Sequence, residues 1–248
     1  MLAAERQSRI VELIQEQGSV QVEELAEKLK VSPMTIRRDL VKLQEENQVE
    51  RCHGGAVIKQ EVEYADKRIS HKSEKKKIAR ACAPLVKEGD TVFLDAGTTT
   101  YEIAKQIKDI PDIMVVTNDL EIANLLKTTD VELMMCGGTV QKSTGSTLGY
   151  YATQMLADFQ FDVGFFGAAS INEEFQVLTP TVDKAFLKRV ISKQCRYAYL
   201  AVDSSKFHRQ AMTRINDLGD YTAVVTNRKF TAEEEKELQR LGAVTIIV

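Results

Sequence analysis

The chain has 248 residues, of which 44% are hydrophobic and 28% charged, and its formal net charge is −3 at pH 7. This composition is typical of a globular protein with one large or two smaller domains. It excludes nucleic-acid binding through overall basic charge, so any such binding must come from local charge. The sequence contains no apolar run of membrane-spanning length and no N-terminal signal core, which predicts a cytoplasmic protein. Cys52, Cys82, Cys136 and Cys195 are widely spaced, which predicts reduced thiols and no zinc site.

The first thirty residues predict two helices joined by a short extended stretch. Residues from about 4 to 17 place apolar side chains on one side, and Gly18 ends this first helix. Residues 19–22 are short and extended, and residues 22–29 then form a second helix with an apolar inward face.

The third helical pattern has a well-marked start. Ser32 is a good N-cap, because its hydroxyl can accept a free backbone N–H of the first turn, and Pro33 suits the first helical position. Ile36, Leu40 and Leu43 then form one apolar face.

The opposite side of this helix carries polar and basic residues. Arg38 and Lys42 lie roughly opposite the apolar face, with Thr35 and Arg37 on its flanks. Such a helix suits the major groove of DNA, although alone it also fits an ordinary amphipathic surface helix. Its position after a short helix and a tight turn indicates a helix-turn-helix.

A β-hairpin is predicted after the third helix. Residues 49–58 alternate in the manner of two short strands, with Gly54 and Gly55 at or near the turn. This hairpin would form a wing, on which Arg51 and His53 could reach phosphates or the minor groove.

At these residues the sequence resembles a known family. VSPMTIRRDLVKLQEE followed by ERCHGGAV is similar to the winged helix-turn-helix of the DeoR family of bacterial transcriptional regulators, over about 55 residues. Asn47-Gln48 departs from the family, which more often has a glycine there, but asparagine tolerates the same backbone conformation. The resemblance implies binding of double-stranded DNA by residues of the third helix and the wing: Ser32, Thr35, Arg37, Arg38, Arg51 and His53, with Lys42 on the same outward face.

The sequence predicts three segments: a DNA-binding domain at 1–58, a linker at 59–73 and a second domain at 74–248. Residues 1–58 contain eight Lys and Arg against ten Asp and Glu, whereas residues 59–80 contain eight against four. The basic run is explained either by a solvated linker and helix start or by added attraction for DNA phosphates. The polar linker is a plausible hinge.

The second half alternates predicted strands and helices. Apolar strands without internal alternation, separated by amphipathic helices, indicate a mostly parallel sheet covered on both faces, and hence an α/β fold. The predicted strands lie at 91–95, 113–117, 131–135, 161–166, 197–202, 223–226 and 244–248. The predicted helices lie at 101–107, 121–127, 150–157, 181–193 and 232–241.

Polar clusters follow five of these strands, at the sheet edge where α/β proteins bind ligands. After the first strand, Asp95 is followed by Gly97, Thr98 and Thr99 at the start of a helix, whose N-terminal N–H groups can bind an anion. No Walker lysine is present, so a nucleoside triphosphate is not expected. Each cluster alone also fits an ordinary strand–loop–helix turn, since such turns favour Gly, Thr and Asp.

The same clusters resemble the DeoR sensor domain over roughly residues 74–248. DAGTTT, TND, MCGGT and VDSSKF are similar to its motifs, and they occur in its order. That domain is similar to ribose-5-phosphate isomerase and glucosamine-6-phosphate deaminase, so the resemblance implies a phosphorylated sugar as ligand. Lys184 is also explained as an ordinary surface lysine. The implied contacts are Asp95, Gly97, Thr98, Thr99, Thr117, Asn118, Gly138, Lys184 and Lys206.

Two functions are compatible with these features. In the first, the second half senses a sugar phosphate and alters DNA binding by a repressor of carbohydrate-metabolism genes. In the second, it isomerises or deaminates a sugar phosphate. The loop from Gly167 to Ser170 lacks the acidic residues that related isomerases carry after the fourth strand, which favours binding without turnover. We expect no cofactor, and a homo-oligomer, because one winged helix reads too few base pairs.

Overall fold

The computed structural model describes residues 2–17, 19–46, 48–52, 54–58 and 63–248, without the side chains of 15–17, 19, 50–52, 57 and 58. The N-terminal region contains α1 (Ala3–Gln17), β1 (Ser19–Gln21), α2 (Val22–Leu29), α3 (Pro33–Glu45), β2 (Val49–Cys52) and β3 (Gly55–Ile58).

The N-terminal region is a winged helix-turn-helix, as predicted. Its three helices enclose an apolar core that contains Ile36, Leu40 and Leu43 of α3. The strands form an antiparallel sheet in the order β1-β3-β2. Gly55 is required at the wing turn, because a Cβ there would lie 2.0 Å from the carbonyl oxygen of Val20.

The second region adds seven helices and twelve strands in the described part of the chain. Its helices are α4 (Tyr64–Ile69), α5 (Lys72–Cys82), α6 (Thr98–Ile107), α7 (Leu120–Leu126), α8 (Tyr150–Ala157), α9 (Val182–Gln194) and α10 (Ala232–Arg240). Its strands are β4 (Thr91–Leu94), β5 (Met114–Thr117), β6 (Glu132–Met135), β7 (Thr139–Gln141), β8 (Ser146–Leu148), β9 (Phe161–Phe166), β10 (Ser170–Ile171), β11 (Gln176–Thr179), β12 (Cys195–Ala201), β13 (Thr213–Asp217), β14 (Ala223–Thr226) and β15 (Thr245–Ile247).

Seven of these strands form one parallel sheet in the order β15-β14-β12-β9-β4-β5-β6. Helices α5, α6 and α7 pack on one face, and α8, α9 and α10 pack on the other. The side chains of β4 alternate between the two faces of the sheet, since Phe93 packs in one core and Val92 and Leu94 pack in the other. The predicted α/β fold class is therefore confirmed.

The chain reverses its direction of travel across the sheet between β4 and β9. From β4 the chain proceeds outward through β5 and β6, and from β9 it proceeds the opposite way through β12, β14 and β15. In parallel sheets a crevice opens at the carboxyl ends of two such strands, and ligands bind there. Asp95 and Gly167 follow directly after these strands and mark the crevice.

Some elements differ from the sequence prediction. A second, antiparallel sheet is formed by β10, β11 and β13, and β7 pairs with β8 in a hairpin. Helix α4 lies within the segment predicted as a linker, and α6 begins at Thr98 rather than Tyr101. These elements are short or rich in threonine, so periodicity and helix propensity say little about them.

Two further observations concern cysteines and membranes. Cys82, Cys136 and Cys195 are free thiols, while the side chain of Cys52 lies outside the described part. Burial raises the pKa of the Cys136 thiol to about 11, although a hydrogen bond from Thr147 opposes the shift. Among the described helices, none combines the length and apolar character needed to cross a membrane.

Candidate functional site

A buried ion pair lies where β4 and β9 end. The Nζ of Lys188, on α9, donates to Oδ2 of Asp95 at 2.6 Å and to the carbonyl oxygen of Gly167 at 2.6 Å. The Gly167 N–H donates to the same carboxylate oxygen at 3.0 Å. Asp95 is 1% exposed and Lys188 6%. This pair therefore joins the two central strands to α9 at the crevice.

The loop between β4 and α6 is supported from the neighbouring strand. Oδ1 of Asn118 accepts from the Ala96 N–H at 2.9 Å, and Oδ2 of Asp119 accepts from the Gly97 N–H at 3.0 Å. The other oxygen of Asp119 caps α7. Burial raises the pKa of Asp119 to about 6, although three backbone N–H groups oppose the shift. The loop is thus fixed before any ligand arrives.

The N-terminus of α6 presents unused hydrogen-bond donors. Tyr101 makes the first intrahelical bond, to the carbonyl of Gly97. The preceding backbone N–H groups, of Thr98, Thr99 and Thr100, have no acceptor within the described part of the chain. Free N–H groups and the helix dipole together favour an anion at this end.

These groups border a cavity of about 490 Å³, a size typical of small-molecule sites. The cavity lies between the α6 N-terminus, the loop after β9, α9 and the turn after β12, and residues of α1, α4 and α5 also line it. Its wall is strongly cationic, since the charged residues of the wall apart from His71 are two acids, Glu12 and Asp66, and six bases: Lys67, Lys75, Lys184, Lys188, Lys206 and Arg209. A cavity of this kind suits a ligand with a negatively charged group.

Lys206 is the base whose charge is least compensated by direct contacts. Within the described residues its ammonium group makes no hydrogen bond or ion pair, although the charge of Asp203 lies near. Burial lowers the pKa of Lys206 to about 8, and the charges of Lys67 and Arg209 act in the same direction. Burial opposes the ionisation of Asp203, but the Lys206 charge and hydrogen bonds from Ser205 hold its pKa below the ordinary value.

The structure separates the predicted ligand residues into two groups. The cavity is lined by Gly97, Thr98, Thr99, Lys184 and Lys206. The other four, Asp95, Thr117, Asn118 and Gly138, do not line it.

The residues of the second group contact the scaffold. Asp95 pairs with Lys188, and Oγ1 of Thr117 donates to the carbonyl of Leu94 at 2.7 Å. Gly138 has φ +150°, and a Cβ there would lie 2.6 Å from the carbonyl oxygen of Leu148. Ligand contact by any of these residues stays a prediction.

Sequence reasoning did not single out Lys188, Lys75 or Arg209. Lys188 follows Lys184 by one helical turn, so both lie on one face of α9, and this i, i+4 spacing was an available signal. Lys75 lies in the basic run that was explained either by a solvated linker and helix start or by added attraction for DNA phosphates, yet only 2% of its surface is exposed. No local pattern distinguishes it from its exposed neighbours Lys76 and Lys77.

The candidate DNA surface is the outward face of α3. Oγ of Ser32 accepts from the Thr35 N–H at 3.1 Å, which is the predicted N-cap, and the two hydroxyls share a hydrogen bond of 2.9 Å. Arg37 pairs with Glu23 at 3.2 Å on the surface. Arg38 and Lys42 are exposed, and their side chains have no hydrogen bond or ion pair within the described residues.

A second buried acid fixes α3 from behind. Asp39 is 4% exposed and accepts hydrogen bonds from Arg6 and Gln7 of α1. This contact holds α3 with its basic side outward. Of the predicted wing contacts, His53 and the side chain of Arg51 lie outside the described residues.

Both regions match known family models. Residues 6–62 match the DeoR-like helix-turn-helix domain, and residues 70–228 match the DeoR C terminal sensor domain. The chain belongs to the DeoR family. The family predicted from the sequence motifs is thereby confirmed.

This DeoR-family protein is similar to curated repressors over almost its whole length. The glycerol-3-phosphate regulon repressor of Escherichia coli (strain K12) is 34% identical over 231 residues, covering 92% of each chain. The lactose phosphotransferase system repressor of Staphylococcus epidermidis is 29% identical over 242 residues, covering 94% of this chain and 95% of the relative. Among solved structures, ribose 5-phosphate isomerase A from Methanocaldococcus jannaschii matches with a TM-score of 0.42 and 16% identity, covering 56% of this chain and 55% of that one.

Proposed function

We propose that the protein is a DNA-binding transcriptional repressor of carbohydrate-metabolism genes whose DNA affinity is modulated by a phosphorylated sugar. The cationic cavity at the β4–β9 crevice is the observation that carries this proposal. The exposed basic face of α3 supports the DNA-binding part. The names of the relatives, a glycerol-3-phosphate regulon repressor and a lactose phosphotransferase system repressor, support the ligand class.

The ligand lies in the cavity with its phosphate toward α6. The free N–H groups of Thr98 and Thr99, together with the Lys206 ammonium, are donors suited to a phosphate group. The sugar hydroxyls then face the loop after β9 and Lys184, whose Nζ donates to Oγ1 of Thr144 at 3.3 Å. Thr117, Asn118 and Gly138 act by holding the loops around the ligand, and Asp95 acts through its pair with Lys188.

A thermal-shift comparison tests the ligand class. A ligand that binds only the folded protein adds about 2.7 kcal/mol of stability at 100 times its Kd, which raises Tm by roughly 5–11 °C for a chain of this size. We expect this increase with at least one of glycerol 3-phosphate, fructose 1-phosphate and ribose 5-phosphate, and none with the corresponding free sugar or glycerol. Equal shifts with phosphorylated and free forms would show that the cavity does not select an anion.

The pH dependence of ligand binding should report Lys206. A bound phosphate favours the ammonium form, and the pKa of Lys206 in the free protein is about 8 because of burial. Above about pH 7, where the phosphate is mostly dianionic, affinity should therefore fall as the pH rises through that pKa, by up to about tenfold one unit above it. Titration calorimetry at several pH values measures this change. Lys206→Met should bind more weakly and lose most of the slope; an identical slope in both proteins would remove Lys206 from the site.

The alternative function is sugar-phosphate isomerisation or deamination, and we propose that the protein lacks it. Isomerisation needs a carboxylate placed to move a proton beside a carbonyl. The segment after β9, from Gly167 to Ser170, carries no carboxylate, and the carboxylate of Asp95 is occupied by Lys188. Incubation with ribose 5-phosphate and glucosamine 6-phosphate decides between the functions, since product above background would establish the alternative.

We also propose a homo-oligomer that acts in the cytoplasm, the compartment that holds prokaryotic DNA. One α3 reads a single half-site, and useful specificity needs repeated half-sites. Light scattering behind a sizing column would measure the assembly, and a mass equal to the 27.8 kDa chain would contradict it.

A further inference from the structure

One short segment lies between the DNA-binding region and the cavity. The α4 segment (residues 63–71) contains α4 and the turn that leads to α5, and four residues of chain, 59–62, separate it from β3 of the winged helix. Lys67, Ser70 and His71 of this segment line the cavity. The α4 segment therefore forms part of the ligand site and is also the first described part of the chain after the DNA-binding region.

Lys75, on α5, contacts the α4 segment through two hydrogen bonds. Its Nζ donates to the carbonyl oxygen of Lys67 and, at 2.6 Å, to that of Ser70. Lys75 is 2% exposed, yet it contributes to the cavity wall. Within the described residues, both of its acceptors are neutral carbonyls rather than carboxylates, and these are weaker acceptors than an anion.

Helix α6 also contacts the α4 segment. Oγ1 of Thr98 donates to the carbonyl oxygen of Lys67 at 3.4 Å. The guanidinium of Arg68 lies 5.1 Å from the centre of the Tyr101 ring, which is within range of a cation–π contact. Two of the contacts that hold α4 thus come from the helix whose N-terminus is the proposed phosphate site.

The carbonyl of Lys67 is the point where these contacts meet. It accepts from Thr98 and Lys75, which both lie on the cavity wall, and from the Ser70 hydroxyl at 3.2 Å. A phosphate at this wall is a stronger acceptor than a neutral carbonyl, because hydrogen bonds to ionised groups are roughly twice as strong. It would draw both of these donors away and leave the Ser70 hydroxyl, which belongs to the same segment, as the remaining donor to the carbonyl. The loss of two donors favours movement of the segment.

The turn after α4 adds to this effect. His71 has a left-handed backbone conformation, with φ 49°, which is unfavourable for a residue other than glycine. The conformation persists only while surrounding contacts fix it. Loss of the Lys75 bonds to Lys67 and Ser70 removes such contacts on the N-terminal side of the turn.

We propose that the α4 segment transmits ligand occupancy to the DNA-binding region: an anion in the cavity takes Thr98 and Lys75 from the Lys67 carbonyl, and the released segment changes the position of the winged helix. This inference rests on the proposed function. A ligand shifts an equilibrium between two states only if it interacts more favourably with one of them. Here only the released state of the α4 segment offers the anion both donors, so the anion favours release.

Amide hydrogen exchange tests the proposal at two separate places. The probes are inorganic phosphate and glycerol 3-phosphate, added to the full chain. We expect slower exchange at residues 98–101, where the anion binds, and exchange at least about threefold faster at residues 64–71, where the segment is released. Protection at 98–101 with unchanged or slower exchange at 64–71 would overturn the inference and leave the proposed function standing. No protection at 98–101 with either probe would overturn the inference together with the proposed phosphate position at α6, whereas the thermal-shift comparison tests the proposed function separately.

Two pairs of variants add specificity. Lys75→Met should show fast exchange at 64–71 without any probe, and phosphate should add little, whereas Lys76→Met, which removes an exposed charge one residue away, should behave like the parent.

Arg68→Ala, at an exposed position outside the cavity wall, should also speed exchange at 64–71 while phosphate still protects 98–101. Ile69→Ala, at a side chain that is 77% exposed, is its control. Parent-like exchange at 64–71 in Arg68→Ala would contradict the proposal even if Lys75→Met failed to fold.

Discussion

Lys188→Met is expected to lose about 3–5 kcal/mol of stability, the usual cost of breaking a buried ion pair by removing one partner. The variant leaves the Asp95 carboxylate buried, with the Gly167 N–H as its remaining donor. In urea, the midpoint for unfolding of the α/β region should fall by roughly 1.5–2.5 M, for a slope of about 2 kcal/mol per M. Circular dichroism across a urea series measures this change.

A matched variant and a double variant make the result specific. Lys193→Met removes an exposed charge from the same helix and should change stability by less than about 0.5 kcal/mol. Asp95→Asn combined with Lys188→Met removes both charges of the pair and should recover part of the stability that Lys188→Met loses. The double-mutant cycle should therefore show strong coupling between the two residues. If Lys188→Met and Lys193→Met unfold at the same midpoint, the ion pair does not stabilise the junction of β4, β9 and α9.

Arg38→Ala is expected to weaken operator binding by about 1–3 kcal/mol, which corresponds to roughly 5- to 150-fold in Kd. Arg38 is exposed on α3, and its side chain is not engaged by any described residue, so its guanidinium can pair with a guanine edge. The operator can be recovered by selection from genomic fragments, and fluorescence anisotropy then gives Kd for the operator and for a random duplex.

The comparison of the two duplexes distinguishes base recognition from phosphate contact. A guanine contact predicts a larger loss on the operator than on random DNA, together with relaxed preference at one base pair. Equal losses would make Arg38 a phosphate contact, and an unchanged Kd would remove it from the interface. Lys28→Ala is a suitable control, because Lys28 is exposed on α2 and is not one of the predicted contacts.

The winged helix was predictable from sequence because its signals are local. Ser32, Pro33 and the spacing of Ile36 and Leu40 lie within nine residues, and cap and periodicity together define where α3 begins and which face is buried. The family motifs made the same prediction independently. Asp39 was not predicted, since its partners lie on α1, 32 and 33 residues earlier in the chain.

The candidate ligand site was only partly predictable. Strand ends with Gly, Thr and Asp indicated the edge of the sheet at which the cavity lies, as for Gly97 and Thr98. Whether a side chain at this edge faces the cavity or the scaffold depends on partners distant in sequence: Lys188 reaches Asp95 across 93 residues. Asn118 is polar, as a residue that contacts a ligand would be, but its side chain accepts a hydrogen bond from the loop before α6. No pattern of spacing carries that distinction.

The support of the loop before α6 has a consequence for how this protein could diverge. Asn118 and Asp119 hold the backbone at the proposed phosphate end through contacts inside the chain, whereas the cavity wall also includes Ala168, Ala169 and Pro180, whose side chains are small or rigid. If the ligand lies as proposed, substitutions at these wall positions would reshape the sugar end without disturbing the phosphate end. A copy of the gene could thus acquire a new inducer in a few steps and keep its existing operator, which makes the wall the natural place to begin engineering a biosensor.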